Sequence, residues 1–417
     1  MTARLTGQDA GQLWNLLEYW PDEVPLCLFG LPPDYSVLAL SGSEVSPAIL
    51  EERCLVEDRV RRNSAALPFG QGYMGVLSYA DYGEKGARRN SFVYQVRSAL
   101  VFDHRKNQVW LTGDPDARDV TFRMELSELP SGGGGLRGGG SSSLSLQPDE
   151  SDEHYLERVS QALEEIRDGR YYQINLLRYF RLQDPGRLNL LRRLCRHGGP
   201  AGAWFRQGER ELLSFSPERF VSFRAEGDLV RLETRPVKGT APRHRDEEED
   251  RQARNDLLNS RKDRAELSMI IDLMRNDLHR VCEPGSVQVE EPGRVYSWST
   301  LHHLAGRITG RARHDLTMGR LFRDLCPAGS ITGAPKVEVM QAIAESEGRS
   351  RGCFMGNAFC WDPGAGIFDS SVLIRTMVRR SAEAWEWAAG SGIVIGSDPQ
   401  LERDEIWVKC RVLTDKV

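Results

Sequence analysis

Three glutamates on two predicted helices have the chemistry of a divalent-cation site, although their spacing alone does not decide for one. Glu266 lies beside an apolar stripe of helical spacing, so its carboxylate must reach solvent, be paired or ligate a metal. Glu402, Glu405 and Lys409 share one face of a helix that begins near Pro399. Two interpretations stay open. Either Glu405 pairs with Lys409 and Glu266 is a paired structural carboxylate, or Glu266 and Glu405 face each other across a cleft and bind Mg²⁺.

Three further segments have features of anion binding. Residues 329–336 (GSITGAPK) contain small residues and two hydroxyls immediately before a predicted helix. The backbone N–H groups at the start of a helix are free to bind an anion. A glycine-rich turn that only caps the helix is the alternative. Residues 390–393 (GSGI) offer a weaker second backbone cradle. Arg375 lies in an apolar predicted strand, where its guanidinium needs an anion such as a carboxylate.

Lys238 lies between a predicted strand and a glycine turn, within residues 236–240 (PVKGT). A lysine in such a place is usually an exposed amine. In a cleft, however, a neutral lysine amine is a usable nucleophile.

The elements that must position these residues mix long helices with short strands. Apolar periodicity predicts helices over residues 151–168, 250–280, 335–347 and 399–413. Strands are predicted over residues 25–30, 35–40, 73–79, 98–103, 108–113, 173–181, 211–215, 219–224, 230–237, 367–378 and 384–389, with a hairpin turn at 226–228. This pattern is typical of an α+β protein in which helices pack against antiparallel sheet.

A Gly/Ser-rich segment divides the chain. It covers residues 131–147 and has the composition of a flexible spacer. Before it lies a β-rich region, residues 1–130, and after it lies the region with the candidate chemistry, residues 148–417. We therefore predict two structured regions.

Composition narrows the classes of function. The 417 residues carry a formal net charge of −5 with both signs interspersed, which disfavours a nucleic-acid or anionic-membrane partner. No apolar run approaches the roughly 20 residues that span a bilayer, and the N-terminus lacks the apolar core of a signal peptide. The eight cysteines are scattered without zinc-site spacing. We expect a soluble, cytoplasmic protein with reduced thiols.

Short motifs in a fixed order resemble those of the chorismate-utilising enzymes. They are residues 216–220 (SPERF), 236–240, 263–266 (DRAE), 275–278 (RNDL), 302–304 (HHL), 329–336, 374–376 (IRT), 390–394 and 404–409. Together they cover nearly all of residues 151–417. The resemblance implies two stacked antiparallel β-sheets with helices packed on the outside and a central cleft.

The resemblance also implies how substrate and metal are held. Mg²⁺ is expected on Glu266 and Glu405, with Glu402 bound through water. The ring carboxylate of chorismate and its other acid group are expected to contact Gly392, Ile393, Lys409, Thr332, Gly333 and Arg375.

Three more residues receive catalytic roles from the resemblance. Lys238 is expected to attack C2 of chorismate as a neutral amine while the C4 hydroxyl departs. Glu218 is expected to protonate that hydroxyl, and His303 to orient or protonate the substrate.

Two positions distinguish members of the family. Gln173 stands in the substrate site where members that add water carry a basic lysine, so water addition is disfavoured. Lys238 stands where anthranilate-forming members typically have alanine. The resemblance therefore implies amination at C4, which gives 4-amino-4-deoxychorismate for p-aminobenzoate and folate synthesis. Anthranilate formation and a catalytically weakened chorismate-binding subunit are the alternatives.

The chain contains no glutaminase motif, since no nucleophilic cysteine has a suitably placed histidine partner. We therefore expect ammonia to come from a separate glutamine amidotransferase subunit.

Overall fold

The computed structural model describes residues 2–5, 10–21, 24–31, 34–55, 69–79, 81, 91–113, 143–227, 229–297, 301–379 and 384–415. Most of the predicted Gly/Ser segment lies outside the described residues. No helix within the described ranges is both long and apolar enough to cross a membrane.

The strands pair in antiparallel fashion throughout the described residues. They are β1 Thr2–Arg4, β2 Leu26–Phe29, β3 Tyr35–Val45, β4 Gly72–Leu77, β5 Phe92–Asp103, β6 Gln108–Gly113, β7 Gln147–Pro148, β8 Gln173–Leu182, β9 Ala203–Gln207, β10 Arg210–Ser214, β11 Arg219–Glu226, β12 Leu229–Thr234, β13 Val237–Pro242, β14 Gln288–Ser297, β15 Leu301–Arg311, β16 Gly333–Ala334, β17 Asn357–Asp362, β18 Ile367–Val372, β19 Thr376–Arg379 and β20 Trp385–Val394.

Two sheets diverge from the long strand β5. One edge of β5 pairs with β3, and the other edge pairs with β4 and then β6. From β3 the first sheet continues through β2, β9, β10, β19, β20 and β8. From β4 the second sheet continues through β17, β18, β11, β12 and β15, and β15 also pairs with β13 and β14. N-terminal strands thus pair with strands from beyond the Gly/Ser segment in both sheets.

The helices cover the outer faces of the sheets. They are α1 Gln12–Glu18, α2 Ile49–Glu52, α3 Asp152–Arg167, α4 Arg187–His197, α5 Glu247–Asn259, α6 Arg261–Val281, α7 Met318–Leu325, α8 Lys336–Glu347 and α9 Pro399–Thr414. One hydrophobic core joins side chains of both sheets, such as Phe205 and Phe223, with those of α6 and α7. A second core lies between the first sheet and α1, α3, α4, α8 and α9. The predicted α+β fold of two stacked antiparallel sheets with outer helices is confirmed.

Two elements that the sequence predicted as continuous are each divided in two. The helix predicted over 250–280 is two helices, because Ser260 leaves the helical conformation and its hydroxyl caps α6 by accepting from the Asp263 N–H. Apolar periodicity runs smoothly across such a single break, so the sequence pattern does not reveal it. The strand predicted over 367–378 is likewise two strands, β18 and β19. Arg375 lies in the gap between them with φ of 49°.

Several elements were not predicted at all. Helix α1 lies in the region that was predicted as β-rich, and strands β14, β15 and β17 fall between the predicted elements. Strand β14 is mostly exposed and polar, so it lacks the apolar alternation on which the prediction depends.

Candidate functional site

Lys238 lies on a β-bulge. Val237 pairs with Ala305 and Thr240 with His303, so β13 has one more residue than β15 over this stretch. Gly239 takes φ of +76°, the left-handed conformation that glycine adopts without strain. Bulges of this kind redirect a side chain out of the regular alternation. The lysine is therefore inside a strand and not in the turn that the sequence predicted.

A glycine is also required at position 239 because there is no room for a side chain. A Cβ at this position would lie 2.9 Å from Cγ of Asp263 and 2.9 Å from Cδ1 of Leu257. The bulge that presents Lys238 thus depends on close packing against α5 and α6.

Glu218 faces both Lys238 and the 329–336 segment. Its Oε1 accepts a 2.9 Å hydrogen bond from the Ser330 hydroxyl. Burial raises the pKa of the Glu218 carboxyl, and the Ser330 hydrogen bond and the Lys238 charge only partly oppose that rise. A carboxyl with a raised pKa holds its proton longer as pH rises, which suits a proton donor.

His303 lies opposite Thr240, and its Nδ1 is 3.1 Å from the Thr240 hydroxyl. Burial lowers the pKa of His303 to about 4, and the positive charge of Arg375 acts in the same direction. The imidazole is therefore neutral near pH 7. A neutral ring suits the orienting role that the sequence suggested better than the proton-donating one.

Arg375 lies in the gap between β18 and β19, where its backbone carbonyl accepts from the Phe215 N–H at 3.0 Å. Burial lowers the pKa of its guanidinium. Within the described residues this guanidinium forms no ion pair or hydrogen bond, while two histidines, His197 and His303, lie close enough to be affected by its charge. The prediction that Arg375 lies within a strand is wrong. Its guanidinium, unpaired among the described residues, still requires an anion, as the sequence predicted.

The 329–336 segment has fewer free groups than the sequence predicted. The Ser330 hydroxyl is bonded to Glu218, and the Thr332 hydroxyl donates to the Ala328 carbonyl at 2.9 Å. Gly333 joins the short strand β16, and a Cβ there would overlap the Gln173 carbonyl oxygen at 2.0 Å. The segment thus links Glu218 at one end to strand β8 at the other.

The predicted second cradle is a stretch of strand β20 paired with β8. Gly392 lies opposite Asn175, and the side chain of Ile393 is buried in the second core, so only its backbone is available for binding. The Nζ of Lys409 donates to the Gly390 carbonyl at 2.5 Å.

The amide of Gln173 is buried beside Gly392. Its side chain is 2% exposed, and its Nε2 has no hydrogen-bond partner in the described structure.

The three glutamates of the predicted metal site do not converge. Glu405 pairs with Lys409 at 2.7 Å, as in the first interpretation of their spacing. Glu266 lines an open pocket of about 610 Å³ together with Val394 and Ile395, at the end of β20. In the described ranges no three His, Cys, Asp or Glu side chains form a group that could hold a metal.

The donor chemistry at this place still fits Mg²⁺. Glu266 and Glu402 are half-buried carboxylates that form no ion pair with any described residue. Mg²⁺ is commonly held by one or two carboxylates, with water and substrate oxygens in its other positions. These residues therefore suit a site that the substrate completes.

The structure brings most of the predicted residues into two groups that the 329–336 segment connects. Lys238, Glu218, His303 and Arg375 form the first group. Gln173, Thr332, Gly333, Gly392 and Lys409 form the second. Sequence analysis missed Asn175, whose buried side chain lies on the same face of β8 as Gln173. The two-residue spacing within a predicted strand was the signal that could have found it.

The chain is similar to known proteins in both sequence and structure. The model of a family described as chorismate binding enzyme matches residues 20–415. Aminodeoxychorismate synthase component 1 of Klebsiella aerogenes is 38% identical over 321 residues, which are 75% of this chain and 67% of that protein. Anthranilate synthase component 1 of Thermus thermophilus is 36% identical over 329 residues, 76% of this chain and 69% of that protein. The crystal structure of anthranilate synthase component I from Streptococcus pneumoniae superposes with a TM-score of 0.76 at 25% identity, covering 92% of this chain and 93% of that one.

Proposed function

Since the chain belongs to the chorismate-binding enzyme family, we propose that it aminates chorismate at C4 to give 4-amino-4-deoxychorismate. The observation that carries this proposal is Lys238, presented on a glycine bulge within electrostatic reach of the half-buried Glu218. A nucleophile and a proton donor side by side are what displacement of a ring hydroxyl needs. Relatives of the aminodeoxychorismate synthase type, such as the Klebsiella aerogenes protein, support the same product.

The first step uses Lys238 and Glu218. The neutral Nζ of Lys238 forms a bond to C2, both conjugated ring double bonds shift (C1=C2 to C1=C6, and C5=C6 to C4=C5), and the C4–O bond breaks. The Glu218 carboxyl gives its proton to the departing oxygen, which leaves as water. His303, as a neutral imidazole fixed by Thr240, orients the substrate.

The second step releases the lysine. Ammonia forms a bond to C4, both ring double bonds shift back, and the C2–N bond breaks so that Lys238 recovers its lone pair. The ammonium proton passes to the Glu218 carboxylate, which restores the starting state. Both displacements thus balance without an oxidant or reductant.

The acid groups of chorismate are held by cations and backbone amides. Arg375 has an unsatisfied guanidinium that matches a planar carboxylate. We propose that the backbone of Thr332 and Gly333 helps Arg375 to bind this first carboxylate. The other carboxylate is bound by the backbone of Gly392 and Ile393 together with Lys409. Glu266 and Glu405, with Glu402 through water, would hold Mg²⁺ in the substrate complex, for which Glu405 must exchange its Lys409 partner. The ion would neutralise a carboxylate and polarise the ring.

Ammonia is proposed to come from a partner subunit. The chain has no glutaminase motif, and the word component in the names of its relatives denotes one part of an assembly. We propose that this partner is a glutamine amidotransferase, and that the pathway is p-aminobenzoate and folate synthesis in the cytoplasm.

Anthranilate formation is the second candidate. The Thermus thermophilus and Streptococcus pneumoniae anthranilate synthases resemble the chain in sequence and in structure. Lys238 is the residue that favours C4 amination over this alternative, because a covalent lysine at C2 blocks amination there.

The proposal is tested by product analysis. The purified chain is incubated with chorismate, Mg²⁺ and ammonium at mildly alkaline pH, with and without an added aminodeoxychorismate lyase. We expect a product that becomes p-aminobenzoate only when the lyase is present. Fluorescent anthranilate without the lyase would establish the second candidate, and unchanged chorismate would support a binding subunit. Glutamine in place of ammonium is expected to give no product.

A further inference from the structure

The floor of the site contains two buried amides on one face of β8. Asn175 pairs with Gly392 of β20, and Gln173 lies two residues earlier. Because side chains alternate along a strand, Gln173 and Asn175 project from the same face, while Ile174 projects into the second core. The amides therefore point away from the outer helices.

Two glycines of β20 close to the amides leave space above the sheet: Gly392 lies opposite Asn175, and Gly390 lies opposite Leu177. A Cβ at Gly390 would lie 2.9 Å from Oδ1 of Asn175. A Cβ at Gly392 would lie 3.1 Å from Nε2 of Gln173. Any residue larger than glycine at either position would fill the space next to the two amides.

Each amide has a polar atom without a partner. Gln173 is 2% exposed and Asn175 is 7% exposed. Within the described residues, Nε2 of Gln173 and Oδ1 of Asn175 form no hydrogen bond. Unsatisfied buried groups are uncommon because each one destabilises the folded state. One unsatisfied donor and one unsatisfied acceptor thus lie on the same face, over neighbouring glycines.

A small group that both donates and accepts a hydrogen bond satisfies this pair. A carboxylate does not, because it only accepts, and an ammonium ion does not, because it only donates. The nearby Lys409 ammonium, bonded to Gly390, also repels a second cation. Neutral ammonia and a ring hydroxyl of the substrate both match the pair.

We propose that Gln173 and Asn175 bind ammonia, with an N–H group donating to Oδ1 of Asn175 and the nitrogen lone pair accepting from Nε2 of Gln173. This inference rests on the proposed amination, which requires ammonia. It assigns a role to Asn175, and it gives Gln173 a partner in recognition of the small reactant.

Among the described residues, the side chain of Asn175 can be changed without removing a hydrogen bond of the fold. Its N–H donates to the Thr332 carbonyl at 2.8 Å, and its carbonyl accepts from Arg351 at 2.6 Å. Both are backbone contacts that any residue preserves. The side chain is therefore free to be tested alone.

The test measures initial rates with ammonium and chorismate varied separately, for the wild-type chain, Asn175→Leu and Asn175→Asp. We expect Asn175→Leu to raise the KM for ammonia about 5- to 10-fold, the effect of one lost hydrogen bond, with the KM for chorismate within twofold of wild type. Asn175→Asp retains an acceptor and should remain closer to wild type. The thermal midpoint of Asn175→Leu should not fall.

A matched control is Asn357→Leu. The Asn357 amide is also buried, but it is hydrogen-bonded to Cys326 and to the Ser371 carbonyl. It should lower the thermal midpoint and leave the KM for ammonia unchanged.

Two results for Asn175→Leu would overturn the ammonia site. They are an unchanged KM for ammonia, and a rise confined to the KM for chorismate, which would assign the amides to the substrate hydroxyl. A wild-type chain that forms no amine from chorismate and ammonium would instead refute the proposed function, and this inference with it.

Discussion

Two polar clusters contact or lie on strand β8, and they differ in how many of their polar atoms have hydrogen-bond partners. The first, which we call the clamp, is the ion pair of Glu347 and Arg351. Both side chains are 1% exposed, and they meet at 2.6 Å. Arg351 also donates to the carbonyls of Ile331 and Asn175. Glu347 also accepts from the Leu177 N–H and from the Tyr179 hydroxyl.

The second, which we call the open cluster, consists of Gln173 and Asn175, each with one buried amide atom that has no partner within the described residues. Arg375, in the other group of site residues, likewise has a guanidinium without a partner among the described residues. The clamp and the open cluster are joined through the backbone of Asn175, whose carbonyl belongs to one and whose side chain belongs to the other.

This difference distinguishes groups that stabilise the structure around the site from groups that bind a ligand in it. A fully satisfied buried network rigidifies the backbone around it, here the strand β8 and the 329–336 segment. Unsatisfied buried groups cost stability in the free protein and recover that cost when a ligand completes them. Changes in the clamp should therefore reduce stability, whereas changes in the site should reduce activity.

The largest expected effect is on the chemistry of the site. Lys238→Ala should lower the rate of C4 amination roughly 10⁴-fold or more, because removal of a covalent nucleophile removes the pathway that it provides. Its free energy of unfolding should stay within about 0.5 kcal/mol of wild type. Lyase-coupled p-aminobenzoate formation and urea denaturation measure the two quantities. Undiminished amination by this variant would refute the lysine adduct.

The next effect is on the stability of the clamp. Arg351→Met should lower the free energy of unfolding by about 3–5 kcal/mol, because it leaves the Glu347 carboxylate buried without its cation. Arg251→Met is the control, since Arg251 pairs with Glu248 on the surface and should cost less than about 1 kcal/mol. Equal costs in urea denaturation for the two variants would show that the clamp is not what holds this strand.

A smaller effect is expected at Arg375, where a substitution should weaken substrate binding without lowering the stability of the free chain. Arg375→Met removes a half-buried cation that has no anion partner among the described residues. We expect the free energy of unfolding of the ligand-free chain to be unchanged or slightly higher. The KM for chorismate should rise about 10- to 100-fold, the value of a charge-assisted hydrogen bond.

The Arg375 variant tests directly whether this side chain stabilises the structure or binds a ligand. Denaturation of the free chain and steady-state kinetics are measured on the same preparation. A loss of stability of the size expected for Arg351→Met would place Arg375 with the clamp and would contradict its role as a carboxylate ligand.

The smallest effect concerns pH. Burial raises the pKa of Glu218, so its carboxyl is protonated below that pKa and loses the proton as pH rises through it. The rate of hydroxyl departure should therefore fall on the alkaline side, by at most about tenfold per pH unit. Glu218→Gln should be slower and should lack this limb. Rates are compared at a constant concentration of neutral ammonia, and an unchanged alkaline limb in Glu218→Gln would assign it to another group.

Sequence alone determined the family and the fold class, and it supplied the candidate residues of the site. Motifs such as SPERF, GSITGAPK and the DRAE stretch are local, and they depend on residue type at fixed short spacing. Helices with a clear start signal, such as α9 with Pro399 in its first turn, were likewise predictable from local rules.

Only the tertiary structure decided how these residues are used. The bulge at Lys238, the break at Arg375 and the burial of Asn175 arise from pairing between strands far apart in the chain. Burial sets the pKa directions of Glu218 and His303, and it is a property of the whole fold. Residue type states which hydrogen bonds a side chain is able to make, but only the packed structure shows which of them are left unmade.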